Sequence, residues 1–352
     1  MTAPPAVAGA TSVVIAAHTP ERAEDLACAV SSAQRQQPPP HQVVVAVDNH
    51  ADLCEWARAQ LRGVTVVDHR GPRGASATRN AGARAADGDF LAFLDDDAVA
   101  RPGWLQSLVA PLGRPDVIGA GGRVEPVWPG LGPQWMPEEF LWVVGASYRG
   151  LPETAGPIRN VWSENMAVVR SDFWAVGGFR EDFGKTDHVS SPEDTDFCIR
   201  LANALDRGTW WYEPSALVGH KVPPGRCTLR FFLWRCRNEG QGKAELSAWL
   251  GTGEGLRDER QHAIKTLPAG IGRELRAAMA DRELAAALRA SAIGIGLGAA
   301  SLGYVGRRAR LWAGRRPTPV DLPPSANPGR LTPGDPSPSA NQGGQSRVAN
   351  PG

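Results

Sequence analysis

The sequence predicts an α/β fold with a mostly parallel central sheet, helices on both faces and a C-terminal helical extension. Three observations carry that expectation. Short apolar runs alternate with segments of helical periodicity through the first 120 residues. The segments between those runs are long enough to act as crossovers, which parallel strands require. The fourth apolar run, Phe90-Leu91-Ala92-Phe93-Leu94, leads directly into three carboxylates, Asp95-Asp96-Asp97. Open α/β sheets bind ligands just beyond the carboxyl ends of such strands.

Ser12-Val13-Val14-Ile15-Ala16-Ala17 reads as a first buried strand. Ala23, Leu26, Ala27, Val30 and Ala33 then recur at helical spacing, with acids at the start, and Pro38-Pro39-Pro40 closes the unit. A second strand, Gln42 to Val47, stops at Asp48-Asn49, and Leu53, Trp56, Ala57 and Leu61 form one face of a second helix. Val64 to Val67 is a third strand. The glycine-containing turn Arg70 to Gly74 opens a helix from about Ala75 to Ala86. After the acidic strand, Val117 to Val124 reads as another strand, followed by a Pro/Trp/Gly-rich stretch from Glu125 to Gly156. Irregular segments of that length inside a domain are usually functional or mobile. Helical signals return around Ser171, Glu193 and Thr228, and from about Pro317 the composition predicts disorder.

At 352 residues, 42% hydrophobic and 21% charged, the chain has ordinary globular composition and room for one large domain or two. A net charge of +1 gives no global pull towards nucleic acid, and none is expected as a partner. Cys28, Cys54, Cys198, Cys227 and Cys236 are scattered without CxxC spacing, which suggests a reducing compartment and no zinc or disulfide framework. The N-terminus lacks the basic and apolar regions of a signal peptide. Ala290 to Gly306 runs 17 residues without charge, five of them glycine, and Arg307, Arg308 and Arg310 follow. It is short for a span; a membrane-interfacial segment and a buried amphipathic helix both fit.

Three adjacent carboxylates repel one another unless a cation joins them, and a hard divalent ion with oxygen ligands suits them. The competing reading is a solvated acidic turn that caps the next helix. Further pieces follow in a fixed order: Thr78-Arg79-Asn80-Ala81-Gly82, Pro102-Gly103-Trp104-Leu105, Asn165 to Arg170, Val176-Gly177-Gly178-Phe179 and Glu193-Asp194-Thr195-Asp196. With the opening strand through His18 and the strand end at Asp48-Asn49, they make the chain resemble the inverting family-2 glycosyltransferases of the GT-A fold. The resemblance covers about Ser12 to Lys243, two thirds of the sequence.

That resemblance implies a GT-A-type nucleotide-diphospho-sugar transferase. One sugar would move from a nucleotide-diphosphate donor, a UDP-sugar by expectation, to an acceptor hydroxyl with inversion, assisted by Mn2+ or Mg2+. It implies Asp97 as a direct metal ligand, with Asp95 and His220 as further ligands, and Asp95 or Asp96 facing the ribose or a metal-bound water. Ala17, His18, Asp48 and Arg79 would line the donor site, Asp48 accepting from the base and Arg79 holding diphosphate oxygens. Asp194 would be the catalytic base and Glu193 would contact acceptor hydroxyls. Simpler readings compete at each place: an Asx turn at Asp48-Asn49, a surface arginine at Arg79, and helix capping by Ser191-Pro192-Glu193-Asp194. The expected organisation is a nucleotide-sugar-binding half over 1–120 and an acceptor-binding and catalytic half over 121–250. A helical extension over 251–316 would follow, with peripheral membrane contact at 290–310, and a tail over 317–352.

Trp128, Trp135 and Trp142 offer an acceptor lid or loop packing. The Gln-x-x-Arg-Trp pattern of processive synthases is missing, since Trp234-Arg235-Cys236-Arg237 stands there, which favours single-sugar addition. Asp95-Asp96-Asp97-Ala98-Val99 also fits a haloacid-dehalogenase-type phosphatase signature, but that motif ends a first strand and this one ends a fourth. A nucleotidyltransferase would carry a glycine-rich, lysine-containing loop after the first strand, where His18-Thr19-Pro20-Glu21-Arg22 stands instead. A non-catalytic nucleotide-sugar-binding protein is the remaining alternative. The acceptor is open among glycan, lipid-linked and small-molecule classes, and the expected location is cytoplasmic, with the inner face of the membrane as the variant.

Overall fold

The computed structural model describes residues 9–181, 185–186, 189–190, 193–205, 208–250 and 261–313. These lie in one compact unit that ends at Arg315. In chain order, β1 (Thr11–Ala17), α1 (Ala23–Gln34), β2 (Gln42–Asp48), α2 (Ala51–Gln60), β3 (Thr65–His69), α3 (Ala75–Ala85) and β4 (Phe90–Asp95) match the predicted alternation. Then come β5 (Ala98–Ala100), α4 (Trp104–Val109), β6 (Val117–Val127), β7 (Gly156–Ile158), β8 (Asn165–Val169) and α5 (Arg170–Ala175). The remainder is β9 (Lys185–Thr186), β10 (Val189–Ser190), α6 (Glu193–Ala204), β11 (Thr209–Lys221), α7 (Leu229–Leu250), α8 (Leu267–Ala280) and α9 (Leu284–Trp312).

The main sheet runs β3-β2-β1-β4-β8-β6-β11-β5, with β7 also on β11. Its first four strands are parallel, while β8 is antiparallel to β4 and β6, and β5 and β7 are antiparallel to β11. The sheet is therefore parallel through the crossover half and mixed beyond it. Alternate residues of β1 point to opposite faces, as strand geometry demands. Val13 and Ile15 join the layer of α1, α2 and α4, whereas Val14 joins the layer of α3, α5 and α6.

The long strand β11 was not legible as one. Its aromatic start, Trp210-Trp211-Tyr212, is strand-like, but Glu213-Pro214-Ser215 interrupts the pattern, and the register slips between Glu213 and Leu217. The irregular stretch after β6 is organised by a 3-10 helix at Glu138–Val144. Phe140, Val143 and Val144 pack there with Phe232, Cys236, Leu267 and Ile293, a third apolar cluster shared with α7, α8 and α9. Trp135 meets Phe232 edge-on at 5.4 Å, and Trp142 lies 5.7 Å from Phe140. All three tryptophans of the stretch pack on this cluster, which supports the packing reading over an acceptor lid. All five cysteines are unpaired. The predicted disordered tail lies outside the described residues.

Gly82 explains part of the Thr78-to-Gly82 motif. A β-carbon there would stand 2.6 Å from Cγ1 of Val14 and 3.3 Å from Cβ of Ala46, so glycine lets α3 lie directly on β1 and β2. Gly82→Val should destabilise the protein by about 3 kcal/mol or more, the upper range for overpacking a rigid interface. Urea denaturation checks this; a midpoint equal to wild type would show that α3 can shift away freely.

Candidate active site

The strand register gathers the predicted donor residues at one edge. Ala16 pairs with Asp95 across β1 and β4, and Ala17 pairs with Val47 across β1 and β2. Ala17, His18, Asp48 and Asp95 thus share the carboxyl ends of three adjacent parallel strands, the expected ligand edge. Asp48 is already engaged there: Oδ2 accepts from the Gly74 backbone N–H at 2.9 Å and Oδ1 from Nδ2 of Asn49 at 2.8 Å. The carboxylate pins the turn that opens α3, which is the local-turn reading, and it does so at the same sheet edge as Asp95.

A second pairing brings His220 to the acids. The short strand β5 runs antiparallel to β11 with Ala98 opposite His220, and the Lys221 N–H donates to the Asp97 carbonyl at 2.9 Å. His220 Nε2 consequently lies 3.3 Å from Oδ1 of Asp97, both side chains 4% exposed. Asp96 Oδ1 and Asp97 Oδ2 each lie 2.9 Å from Nη1 of Arg22, which the 3-10 turn Pro20–Arg22 carries in just after β1. His18 Nδ1 is 3.9 Å from Oδ2 of Asp96, while its ring remains largely open to solvent.

These contacts split the properties of neighbouring carboxyls. Burial, reinforced by the charge on Asp97, pushes Asp96 up to about 7 despite Arg22. Burial works in the same direction on Asp97, but His220, Arg22 and Arg226 outweigh it and hold the group at about 2. Burial pulls His220 down, yet Asp97 and Glu164 leave it above its ordinary value. His18 is lowered, by burial first and then by Arg22. Burial also lowers Arg226, with the charge of Asp97 opposing.

Asp96 therefore gives the metal-free protein a pH signature. Its folded value lies above the unfolded one, so the folded state binds an extra proton between about pH 4 and 7 and loses stability as pH rises through that window. Asp96→Asn keeps an acceptor for Arg22 without the buried charge. It should raise the melting temperature over wild type by several degrees at pH 8 and by little at pH 5. Melting curves in chelator check the widening gap; a constant difference would contradict it.

A third group joins the sheet to α6. Arg79, 7% exposed on α3, donates from Nη2 to Oδ1 of Asp95 at 2.7 Å, and its Nη1 lies 3.9 Å from Oε1 of Glu193. Burial disfavours its charge, but Asp95, Asp194 and Glu193 together raise it above the usual range for arginine. Glu193 is buried and Asp194 half-buried in the first turn of α6, where the helix dipole favours carboxylates. The competing cap by Ser191 and Pro192 lies outside the described residues. Asp196 faces another way: it holds Arg200 at 2.8 Å, and Arg200 donates to the carbonyls of Val176 and Gly178. Asn80 completes that join through Phe179, donating to its carbonyl and accepting from its N–H. Several motif residues thus build the frame that positions α6.

Of the predicted metal ligands, Asp97 and His220 are brought into contact, while Asp95 turns Oδ1 to Arg79. Among the described residues no three His, Cys, Asp or Glu side chains converge into a ligand cluster. The pieces nevertheless suit a hard cation. Asp96 Oδ2 and His220 Nδ1 are buried without a hydrogen bond, and the carboxylate oxygens suit Mn2+ or Mg2+. Sequence reasoning missed Arg22, Arg226 and Glu164. Arg22 had a usable signal, because the loop after β1 emerges beside β4 in any such sheet; the other two are gathered only by tertiary packing.

Comparison with known proteins follows the same lines. The model for Glycosyl transferase family 2 matches residues 12–177, from β1 through α5. A glucosyl-dolichyl phosphate glucuronosyltransferase of Haloferax volcanii is 32% identical over 239 residues, covering 66% of this chain and 75% of that protein. The chain belongs to glycosyltransferase family 2. A pre-mycofactocin glycosyltransferase of Mycobacterium tuberculosis is 35% identical over 185 residues, 52% of this glycosyltransferase and 37% of the relative. Among solved structures, the mannosyltransferase PcManGT from Pyrobaculum calidifontis, in complex with GDP-Man and Mn2+, is similar with a TM-score of 0.51 at 18% identity. That similarity covers 87% of this glycosyltransferase and 88% of the other chain, and it shows the GT-A fold.

Proposed function

We propose that this glycosyltransferase moves a single sugar from a nucleotide-diphosphate donor, a UDP-sugar, to an acceptor hydroxyl with inversion at the transferred carbon. One observation carries the reading: Asp97 and His220, from distant parts of the chain, meet at 3.3 Å on the same edge where Arg79 links Asp95 to Glu193. A donor-side group and an acceptor-side group are thereby coupled across one arginine.

Asp97, His220 and Asp95 would hold the divalent ion, which when bound supplies Lewis-acid charge for the departing diphosphate. Arg22, Arg226 and Arg79 add fixed positive charge beside it, and guanidinium groups suit phosphate oxygens. Ala17, His18 and Asp48 face the nucleoside, with Asp96 towards the ribose or a metal-bound water. Inversion needs a base on the side opposite the leaving group, and Asp194 takes the acceptor proton there. Glu193, buried against Arg79, orients acceptor hydroxyls. The Haloferax volcanii relative, a glucosyl-dolichyl phosphate glucuronosyltransferase, makes a lipid-phosphate-linked sugar the first acceptor to try, ahead of free glycans and small molecules. We propose a cytoplasmic location for the reaction, at the inner face of the membrane for such an acceptor.

A thermal-shift screen of nucleoside diphosphates tests the donor half. UDP with Mn2+ or Mg2+ should raise the melting temperature by several degrees, more than GDP does, and chelator should reverse the shift. A shift that ignores the metal, or one largest for GDP, would overturn that part. Release of nucleoside diphosphate only with acceptor present separates a transferase from a binding protein.

A further inference from the structure

Helix α9 carries four arginines and no acidic residue over its 29 residues. One side is closed against the body of the protein, where Ala286, Ala290, Ile293, Gly296 and Gly303 are buried. A β-carbon on Gly303 would stand 2.0 Å from the Arg237 carbonyl oxygen, and one on Gly240 would stand 1.9 Å from that of Ala300. Backbones in such close approach clamp α9 alongside α7, so it is not a free rod able to cross a bilayer end-on. The other side is different. Leu284, Leu288, Ile295, Leu302, Val305 and Trp312 are all exposed, from 48% to 92%, and their spacing places them in one stripe. Leu275 and Met279 on the neighbouring α8 are exposed as well. Continuous exposed apolar surface of this extent marks an interaction site.

We infer that this stripe seats on an anionic lipid surface, with α9 lying in the plane of the interface. Charge selects the occupant. Arg308 and Arg310 are exposed beside the fully open Trp312, an arrangement that suits anionic headgroups and the boundary below them. A second copy fits less well: in a parallel pairing the arginines would face one another, and in an antiparallel one the N-cap acid, Glu283, is already held by Arg289. The same docking would hold the active site near the lipid. Helix α7, packed along α9, begins two residues after Cys227, the end of the turn that brings Arg226 into range of Asp97. This inference goes beyond the transferase reading and stands without it, since empty vesicles contain neither donor nor acceptor.

The test is sedimentation of the full chain with vesicles of phosphatidylcholine alone and of equimolar phosphatidylcholine and phosphatidylglycerol. Apparent affinity should be about tenfold or more higher on the anionic vesicles and should fall as salt is added. Leu302→Glu with Val305→Glu should remove binding while the melting temperature and UDP binding stay at wild-type values; Leu302→Ser with Val305→Ser is the milder pair should the first fail to fold. Arg308→Glu with Arg310→Glu should remove the preference for anionic lipid. Absence of sedimentation with both vesicle types overturns the inference. So does a wild-type dimer in light scattering that the Leu302/Val305 pair turns monomeric without any vesicle binding.

Discussion

Asp97→Ala should reduce metal-dependent transfer by about three orders of magnitude and abolish the stabilisation that a divalent ion with UDP confers. The side chain is nearly fully buried, touches His220 on one oxygen and Arg22 on the other, and stays ionised throughout the working pH range because His220, Arg22 and Arg226 overcome its desolvation. No neighbour can take that place: Asp96 is shared with Arg22 and pushed up to about 7, and Asp95, itself a ligand in the proposed site, already gives one oxygen to Arg79. Loss of the carboxylate also takes from His220 its close partner and leaves Arg22 with Asp96 alone, so the variant should melt lower than wild type in chelator. Asp97→Asn, which keeps the shape, should lose transfer as well while melting closer to wild type. Transfer that still responds to Mn2+ at near-normal rate in either variant would remove Asp97 from the metal site.

Asp194→Asn should lower turnover by about two to four orders of magnitude, the range for removal of a general base. Donor binding should survive it. Asp194 belongs to the first turn of α6 and adds to the charge field at Arg79, but the acids beside Arg22 lie on other elements. The variant should therefore keep its thermal shift with UDP and metal while nucleoside diphosphate release stalls in the presence of acceptor. Equal loss of donor binding in the two variants would contradict separate roles. The difference between them, measured by the same shift assay, is what distinguishes a ligand of the donor from a base for the acceptor.

The crossover half was legible because its signals are local. Seven elements from Thr11 to Asp95 needed only apolar runs of strand length, helical spacing between them and turn residues at the joints. Asp95-Asp96-Asp97 stood out for the same reason, being a charge cluster against a buried run. Strands β8 and β11 were not legible as strands. The first is five residues long, and the second is broken by Glu213-Pro214-Ser215 and bends through an irregular register. Motif residues were visible while their work was not: Asn80 and Gly82 stood out only as members of the Thr78-to-Gly82 motif, and they serve to seat α3 on the sheet and on Phe179. Trp135 and Trp142, open to a sugar-stacking reading, pack against the aromatic cluster of α7.

From its order of residues alone the chain determined the alternating α/β half, the acidic strand end, the family it resembles and the positions of Asp48, Asp97, Asp194 and His220 as candidates. The alternating half and the acidic strand end rest on neighbours within a few positions, where periodicity and turn chemistry act, while the four candidate positions rest on the family resemblance. Only the tertiary structure decided which charges meet. Arg22 between Asp96 and Asp97, His220 against Asp97, Arg79 between Asp95 and Glu193, and the stripe left open on α9 all arise from strand register and helix packing. Electrostatic pairing depends on distances of a few ångström between groups from remote parts of the chain, and nothing in the local sequence encodes such distances.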